Sequence, residues 1–361
     1  WTSVEAVTTK DGLKLNWSQH KDPRASGIGV TVIARRDVSR SAYLWTLTAE
    51  CSRSQSAVQS VAFPQVRIEP PGPDARIVYP TGPGTDSPLQ PNTHIDKRSL
   101  YPNYACTIQL MAVYSTAMRT GLYYACHDPY ASIKHVVQRC VSGEAGVLLA
   151  FDVPAPNMHQ RTPFTWPGTA VWQRLDGDWF DAARLYRDWV SREAQWWPKL
   201  SRSERTDTPE WMRNLSVWTQ AWGSADECVA QVKRLQQALG VPLGFHWYSW
   251  HQIPFDNDYP HYFPAKPGMV EAVADLQANN IHVMPYINSR LWDTRDRGLE
   301  DFEFSSRALP AAAKKADGTP YIENYGIKEA DGSPVNHAVM CPTTRLWRET
   351  MRDTVLRLLN E

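Results

Sequence analysis

The chain has 361 residues, 42% of them hydrophobic and 21% charged, with 38 basic and 38 acidic side chains and a formal net charge of zero. That length sets an expectation of two domains, and the even charge balance leaves no electrostatic footprint for nucleic acid or an anionic membrane. No run of about 18 apolar residues predicts a spanning helix, and residues 1–10 lack the charged and apolar regions of a signal peptide; the compartment is not legible.

Residues 1–180 read as an N-terminal β-sandwich domain. Alternation recurs at Leu13–Trp17, Gly29–Ile33 and Tyr43–Leu47, the period of a half-buried strand. Asp11-Gly12 is a hairpin signal. Prolines from Pro64 to Pro102 predict long loops and edge strands there. Further strands are expected at Ile108–Tyr114, Gly121–Cys126 and Gly146–Phe151, and many short strands with polar turns suggest a sandwich. A helix follows, with Asp181 as its expected N-cap and an end near Trp197. Its aromatic content suggests a helix that packs two domains together. Residues 181–210 are taken as this helix plus a polar linker, and residues 211–361 as the first part of a barrel.

Beyond Trp211 the pattern changes. Strand-like Leu215–Trp222, Leu243–Trp250 and Ile281–Leu291 alternate with helices expected at Ala225–Leu239 and Gly268–Asn279. That alternation suits parallel βα units. A long insertion follows, carrying the turn signals Asp317-Gly318 and Asp331-Gly332, and a last helix is expected at Thr343–Leu359. Three such units fall short of a closed barrel of about 250 residues. The fold is therefore read as a β-sandwich followed by a (β/α)8 barrel truncated after about three units. The rest of the barrel is expected from the same parent polypeptide or from another chain.

The chain is rich in aromatics, with 16 Trp, 15 Tyr and 9 Phe. Many gather at the strand ends, where barrels keep their active sites: Trp218–Trp222, His246–His251 with Asp256, Asn257 and Asp258, and Pro285–Asp293. Trp faces mixed with carboxylates, amides and Arg suit a sugar ring, whose buried hydroxyls each need a partner or cost about 1–3 kcal/mol. Plainer readings stand beside this one. Trp218, Trp247 and His246 suit a core, Asp256 and Asp258 a solvated or cation-binding loop, and Arg290 with Asp293 a structural ion pair. No cofactor is expected, since GxGxxG, GxxxxGK[ST], GxSxG and HExxH are all missing. No catalytic metal is expected either, because His246 and His251 point to opposite faces of a strand. Six cysteines without CxxC or zinc spacing read as free thiols.

Three strings then resemble one group: Gly121–Pro129 (GLYYACHDP), Gly177–Ala183 (GDWFDAA) with Tyr186–Trp189 (YRDW), and Trp247–Trp250 (WYSW). The group is that of sandwich-plus-barrel proteins related to endo-α-N-acetylgalactosaminidases (glycoside hydrolase family 101), with the DUF6259 domains. The α-galactosidase and α-glucosidase barrels are more distant. The resemblance implies a retaining α-glycosidase with two carboxylates, acting on an oligosaccharide or glycoconjugate, with galacto-configured sugars favoured. Its nucleophile would follow strand four, beyond the helix ending at Glu361, so the catalytic pair is assigned to no residue and this chain alone is expected to be inactive. The implied substrate-binding wall comprises Trp222, Trp250, His251, Asp256, Asp258, Tyr286, Asn288, Arg290 and Asp293. Adjacent strand ends should set Trp250, His251 and Asp256 across a cleft from Asn288, Arg290 and Asp293, with Arg290 orienting a neighbouring carboxylate. A non-catalytic carbohydrate-binding or assembly module on the same scaffold is the main alternative, and a metal-dependent hydrolase a weaker one.

Overall fold

Alternating apolar and polar residues turn most of residues 3–176 into strands. In chain order these are β1 (Ser3–Thr9), β2 (Gly12–Ser18), β3 (Gly29–Asp37), β4 (Ala42–Glu50), β5 (Ser60–Ile68), β6 (Ala75–Tyr79) and β7 (Thr85–Pro88). Then come β8 (Ile95–Tyr101), β9 (Leu110–Ser115), β10 (Thr120–His127), β11 (Lys134–Cys140), β12 (Val147–Pro154), β13 (Phe164–Thr165) and β14 (Thr169–Asp176). The computed structural model describes residues 1–361 apart from 52, 91–92, 141–145, 157–160, 203, 254–256, 299–302 and 316. It divides into two units, Trp1–Pro198 and Lys199–Glu361.

In the first unit one antiparallel sheet runs β1-β2-β3-β4-β14-β10-β9-β6-β7, with β13 added on β4, and a second runs β5-β12-β11-β8. Val32, Leu47, Ile77, Met111 and Tyr124 of the first sheet share a core with Phe63, Val136, Leu149 and Phe151 of the second. The proline-rich stretch supplies edge strands: β5 and β8 flank the smaller sheet, and β7 ends the larger one. Helix α1 (Trp179–Glu193) covers the other face of the large sheet. Its Ala182, Tyr186, Trp189 and Val190 pack on Ala112, Tyr123, Val171 and Leu175. The helix starts one turn earlier than expected. Asp178, not Asp181, is the N-cap; it accepts from Phe180 N at 2.9 Å while the Asp181 carboxylate accepts from Asp178 N at 3.1 Å. This reciprocal box satisfies two backbone donors that would otherwise be orphaned.

The second unit opens with a short hairpin, β15 (Leu200–Ser201) and β16 (Glu204–Arg205), and the turn of helix α2 (Glu210–Arg213). A βαβαβ run follows: β17 (Val217–Ala221), α3 (Ala225–Leu239), β18 (Leu243–Trp247), α4 (Met269–Ala278) and β19 (Ile281–Pro285). The three strands are parallel and in register, from Val217, Leu243 and Ile281 to Ala221, Trp247 and Pro285. Leu243, Phe245, Trp247 and Ile281 pack with Cys228, Val232 and Leu276 of the helices. The alternate residues Trp218, Gln220 and Met284 are exposed on the opposite face. Gly244 has no side chain because a Cβ there would lie 2.3 Å from the Trp218 ring.

Strands β20 (Leu291–Asp293), β21 (Ile322–Glu323) and β22 (His337–Val339) form a small antiparallel sheet, and helix α5 spans Arg345–Asn360. Gly318 and Gly332, both at φ +83°, close the two expected turns, where Asp317 and Asp331 accept from the N–H two residues on. Five of the six cysteines are buried, and all are free thiols. No helix among the described residues is long and apolar enough to cross a membrane.

Candidate functional site

Each parallel strand ends sooner than its apolar run, and the chain leaves the sheet one residue later with an aromatic side chain: Trp222, Tyr248 and Tyr286. Tyr248 N still donates to Ala221 O at 3.2 Å and Tyr286 N to Trp247 O at 3.0 Å, so the three rings stay in register beside one another. Tyr248 stacks on Tyr286 with centroids 4.2 Å apart and planes at 13°. Trp222 lies 6.0 Å from Tyr248, and His246 lies 6.0 and 5.9 Å from the two tyrosines. Trp222 is 58% exposed. Asn288 closes the row. Its Nδ2 donates to the Tyr286 hydroxyl at 3.3 Å, its Oδ1 accepts from Arg290 N at 2.9 Å, and its backbone N–H donates to the Tyr262 hydroxyl at 2.5 Å.

The expected wall therefore separates into three sets. Trp222, Tyr286 and Asn288 come together at the strand ends. Trp250 and His251, expected to face a ligand, are buried instead. Trp250 is 0% exposed and its Nε1 donates to Tyr286 O at 2.7 Å, which fixes the row from within the core. His251 packs against the Trp250 and Tyr262 rings. The third set holds Asp258 and Asp293, both buried around the Arg295 guanidinium: Asp258 Oδ1 and Asp293 Oδ2 each lie 2.5 Å from it, and Glu329 also pairs with it. Arg297 contacts Asp258 as well, and Asn257 Oδ1 accepts from Arg295 at 2.5 Å. Asp256 lies outside the described residues.

Arg290 does not orient Asp293. It pairs with Glu323, and Asp293 belongs to Arg295. Sequence reasoning missed Arg295, Arg297, Glu323, Tyr325 and Glu329. The Asp293-x-Arg295-x-Arg297 spacing marked the first two, but nothing in the sequence marked the partners supplied by the insertion.

The comparisons with known proteins fit this frame. Residues 164–361 match the family of domains described as DUF6259, a domain of unknown function. The chain belongs to that family. A Bacteroides thetaiotaomicron protein provisionally named a glycoside hydrolase is 29% identical over 317 residues, covering 88% of this chain and 44% of the relative. The solved α-N-acetylgalactosaminidase NagBb of Bifidobacterium bifidum, in complex with GalNAc, superposes with a TM-score of 0.75 at 12% identity over 99% of this chain and 59% of its own. The GH36 α-galactosidase AgaB of Geobacillus stearothermophilus gives 0.52 at 10% identity, over 97% of this chain and 47% of its own. At those identities the likeness is one of fold. The DUF6259 chain spans less than half of the curated relative and about three fifths of NagBb.

In this DUF6259 chain no group of three or more His, Cys, Asp or Glu side chains among the described residues is placed to hold a metal ion. Asp258 and Asp293 are two buried carboxyls gathered on the same Arg295 guanidinium. Burial first, and then the hydrogen bond its protonated form donates to Asp293, push the Asp258 carboxyl up to about 6 against the pull of Arg297 and Arg295. Burial also acts on Asp293, but Arg295 outweighs it and holds that carboxyl below the usual range. A carboxyl raised by folding stabilises the native state at low pH and loses that contribution as pH rises through its folded value. Wild-type stability should therefore fall between about pH 4 and 6 at this site, and Asp258→Asn should flatten that segment of the Tm-against-pH curve. An unchanged slope would show that Asp258 does not titrate there.

Proposed function

We propose that the protein is a glycoside hydrolase acting on an α-linked glycan, with galacto-configured sugars favoured. The observation that carries this reading is the row Trp222–Tyr248–Tyr286, closed by Asn288, at the C-terminal ends of three parallel strands, with Trp222 exposed and the two tyrosines part-buried. Aromatic faces cover the apolar side of a pyranose, and the tyrosine hydroxyls, the Asn288 amide and His246 offer donors and acceptors to its hydroxyls. The relatives named above, and the sugars in the names of the solved neighbours, favour the same chemistry.

A barrel is the architecture proposed for the second unit. A parallel sheet is normally covered on both faces, and on one face of this sheet Trp218 and Met284 stand exposed. Further strands, from the same polypeptide or another chain, would cover it. The catalytic pair is assigned to no residue here. Retention, the stereochemistry suggested by the resemblance, requires two carboxylates about 5–5.5 Å apart. A second reading, a carbohydrate-binding module without catalysis, is favoured by one observation: the buried carboxylates near the site, Asp258 and Asp293, are already engaged by Arg295.

Hydrolysis of aryl α-N-acetylgalactosaminides and α-galactosides by the full-length protein, followed by NMR of the released sugar, separates these readings. The α-anomer should appear first. Trp222→Ala should lower kcat/KM about tenfold, about 1.4 kcal/mol, with little change in Tm because the ring is exposed. Prior release of the β-anomer would contradict retention, and sugar binding without any turnover would establish the second reading.

A further inference from the structure

The insertion between β20 and α5 contributes a group that the strand ends do not explain. Tyr321 and Tyr325 flank the short strand β21 that carries Glu323. Both tyrosines are half exposed. Between them the Glu323 carboxylate is held on both oxygens by the Arg290 guanidinium, at 2.8 Å for Oε2, and the Tyr325 hydroxyl donates to it. Arg290 Nη1 also lies 3.4 Å from the Tyr325 hydroxyl.

This cluster adjoins the aromatic row. Arg290 N donates to Asn288, whose amide reaches Tyr286, and Met340 N donates to Arg290 O at 2.8 Å. A ring path also runs from Tyr286 to Tyr259 (6.4 Å), His337 (5.6 Å) and Tyr325 (6.2 Å). A surface Arg–Glu pair contributes little to stability, and a tyrosine ring left in water contributes less. An ordered ion pair framed by uncovered rings is instead the equipment of a recognition surface. The carboxylate accepts from hydroxyls, the guanidinium donates to them, and a ring covers the C–H face.

We propose that Arg290, Glu323 and Tyr325 form a second sugar subsite, beside the one at Trp222–Tyr248–Tyr286, so that the protein selects an oligosaccharide or glycoconjugate over a lone monosaccharide. The proposal rests on the carbohydrate reading given above. Burial pushes Glu323 upward, but Tyr325 and Arg290 outweigh it and keep the carboxyl ionised below the usual glutamate range, ready to accept hydrogen bonds. The insertion, rather than the sheet, then sets the preferred length of the glycan.

Calorimetric titration of the full-length protein tests this. The probes are methyl α-galactoside, methyl α-N-acetylgalactosaminide, and disaccharides carrying the same α-linked sugars. The disaccharides should bind about tenfold tighter than the single sugars. Tyr325→Ala and Glu323→Gln should each remove that gain and leave the single-sugar Kd unchanged, while Tyr325→Phe, which keeps the ring, should retain most of it. Equal affinity for one and two rings, or variants that weaken both alike, would overturn the subsite and leave the carbohydrate reading standing. Failure of every probe to bind would overturn both.

Discussion

Replacing Trp189 by alanine will cost the protein about 3–5 kcal/mol in denaturant unfolding, the range for truncating a buried tryptophan. The indole is 2% exposed, stacks on His127 with centroids 4.4 Å apart and planes at 10°, and lies 5.5 Å from Tyr186. Its Nε1 donates to Glu193 at 3.1 Å. Removing it opens a void between α1 and the large sheet, and it also wets His127. Burial holds that imidazole neutral, at about 3, and its ring nitrogen meets the Tyr123 hydroxyl at 2.9 Å. A loss under about 1 kcal/mol would mean that the helix does not seal this face.

A comparable loss is expected from Lys134→Met. Lys134 and Asp128 are both fully buried, with Nζ 2.9 Å from the carboxylate, 2.6 Å from Gln109 Oε1 and 2.6 Å from Ser132 O. Taking away the ammonium leaves a buried carboxylate with only the Tyr130 and Ser132 N–H groups, and uncompensated buried charges of this kind cost about 3–5 kcal/mol. Burial acts to raise Asp128, yet Lys134 outweighs it and holds the carboxyl below its usual value. Its contribution is therefore present above the unfolded carboxyl value and lost as pH falls. In the variant the destabilisation should shrink on acidification, because Asp128 can then take a proton. The double variant Asp128→Asn, Lys134→Met should recover much of the loss at neutral pH. If the single and double variants are equally unstable, the cost is packing rather than charge.

Local signals carried much of this fold. The alternation read at Gly29–Ile33 and Tyr43–Leu47 is a two-residue period that suits a strand, and it lies within β3 and β4; Ala225–Leu239 formed a helix at its expected bounds because Ser224 and Gly240 cap it on either side. The start of α1 was misplaced because Asp178 and Asp181 are both good caps, and only the capping box decides between them. At the site, position along the chain was legible and orientation was not. Trp222 and Trp250 stand in similar strand-end contexts, yet one lies in water and the other hydrogen-bonds Tyr286 from the core. The charge partners were hidden for a different reason. Arg290 meets Glu323 and Arg295 meets Glu329 across more than 30 residues, a pairing set by how the insertion folds back and by no spacing in the sequence.

A carbohydrate role for the protein requires that the strand ends of the second unit hold a sugar. The direct measurement is an NMR titration of the full-length protein with N-acetylgalactosamine, following the indole N–H resonances. The Trp222 resonance should shift saturably, the Trp179 resonance should not move, and Trp222→Ala should weaken binding about tenfold. A Trp222 resonance that stays still while the sugar binds elsewhere, for instance at the partly buried Trp45–Trp172 pair of the first unit, would contradict the account.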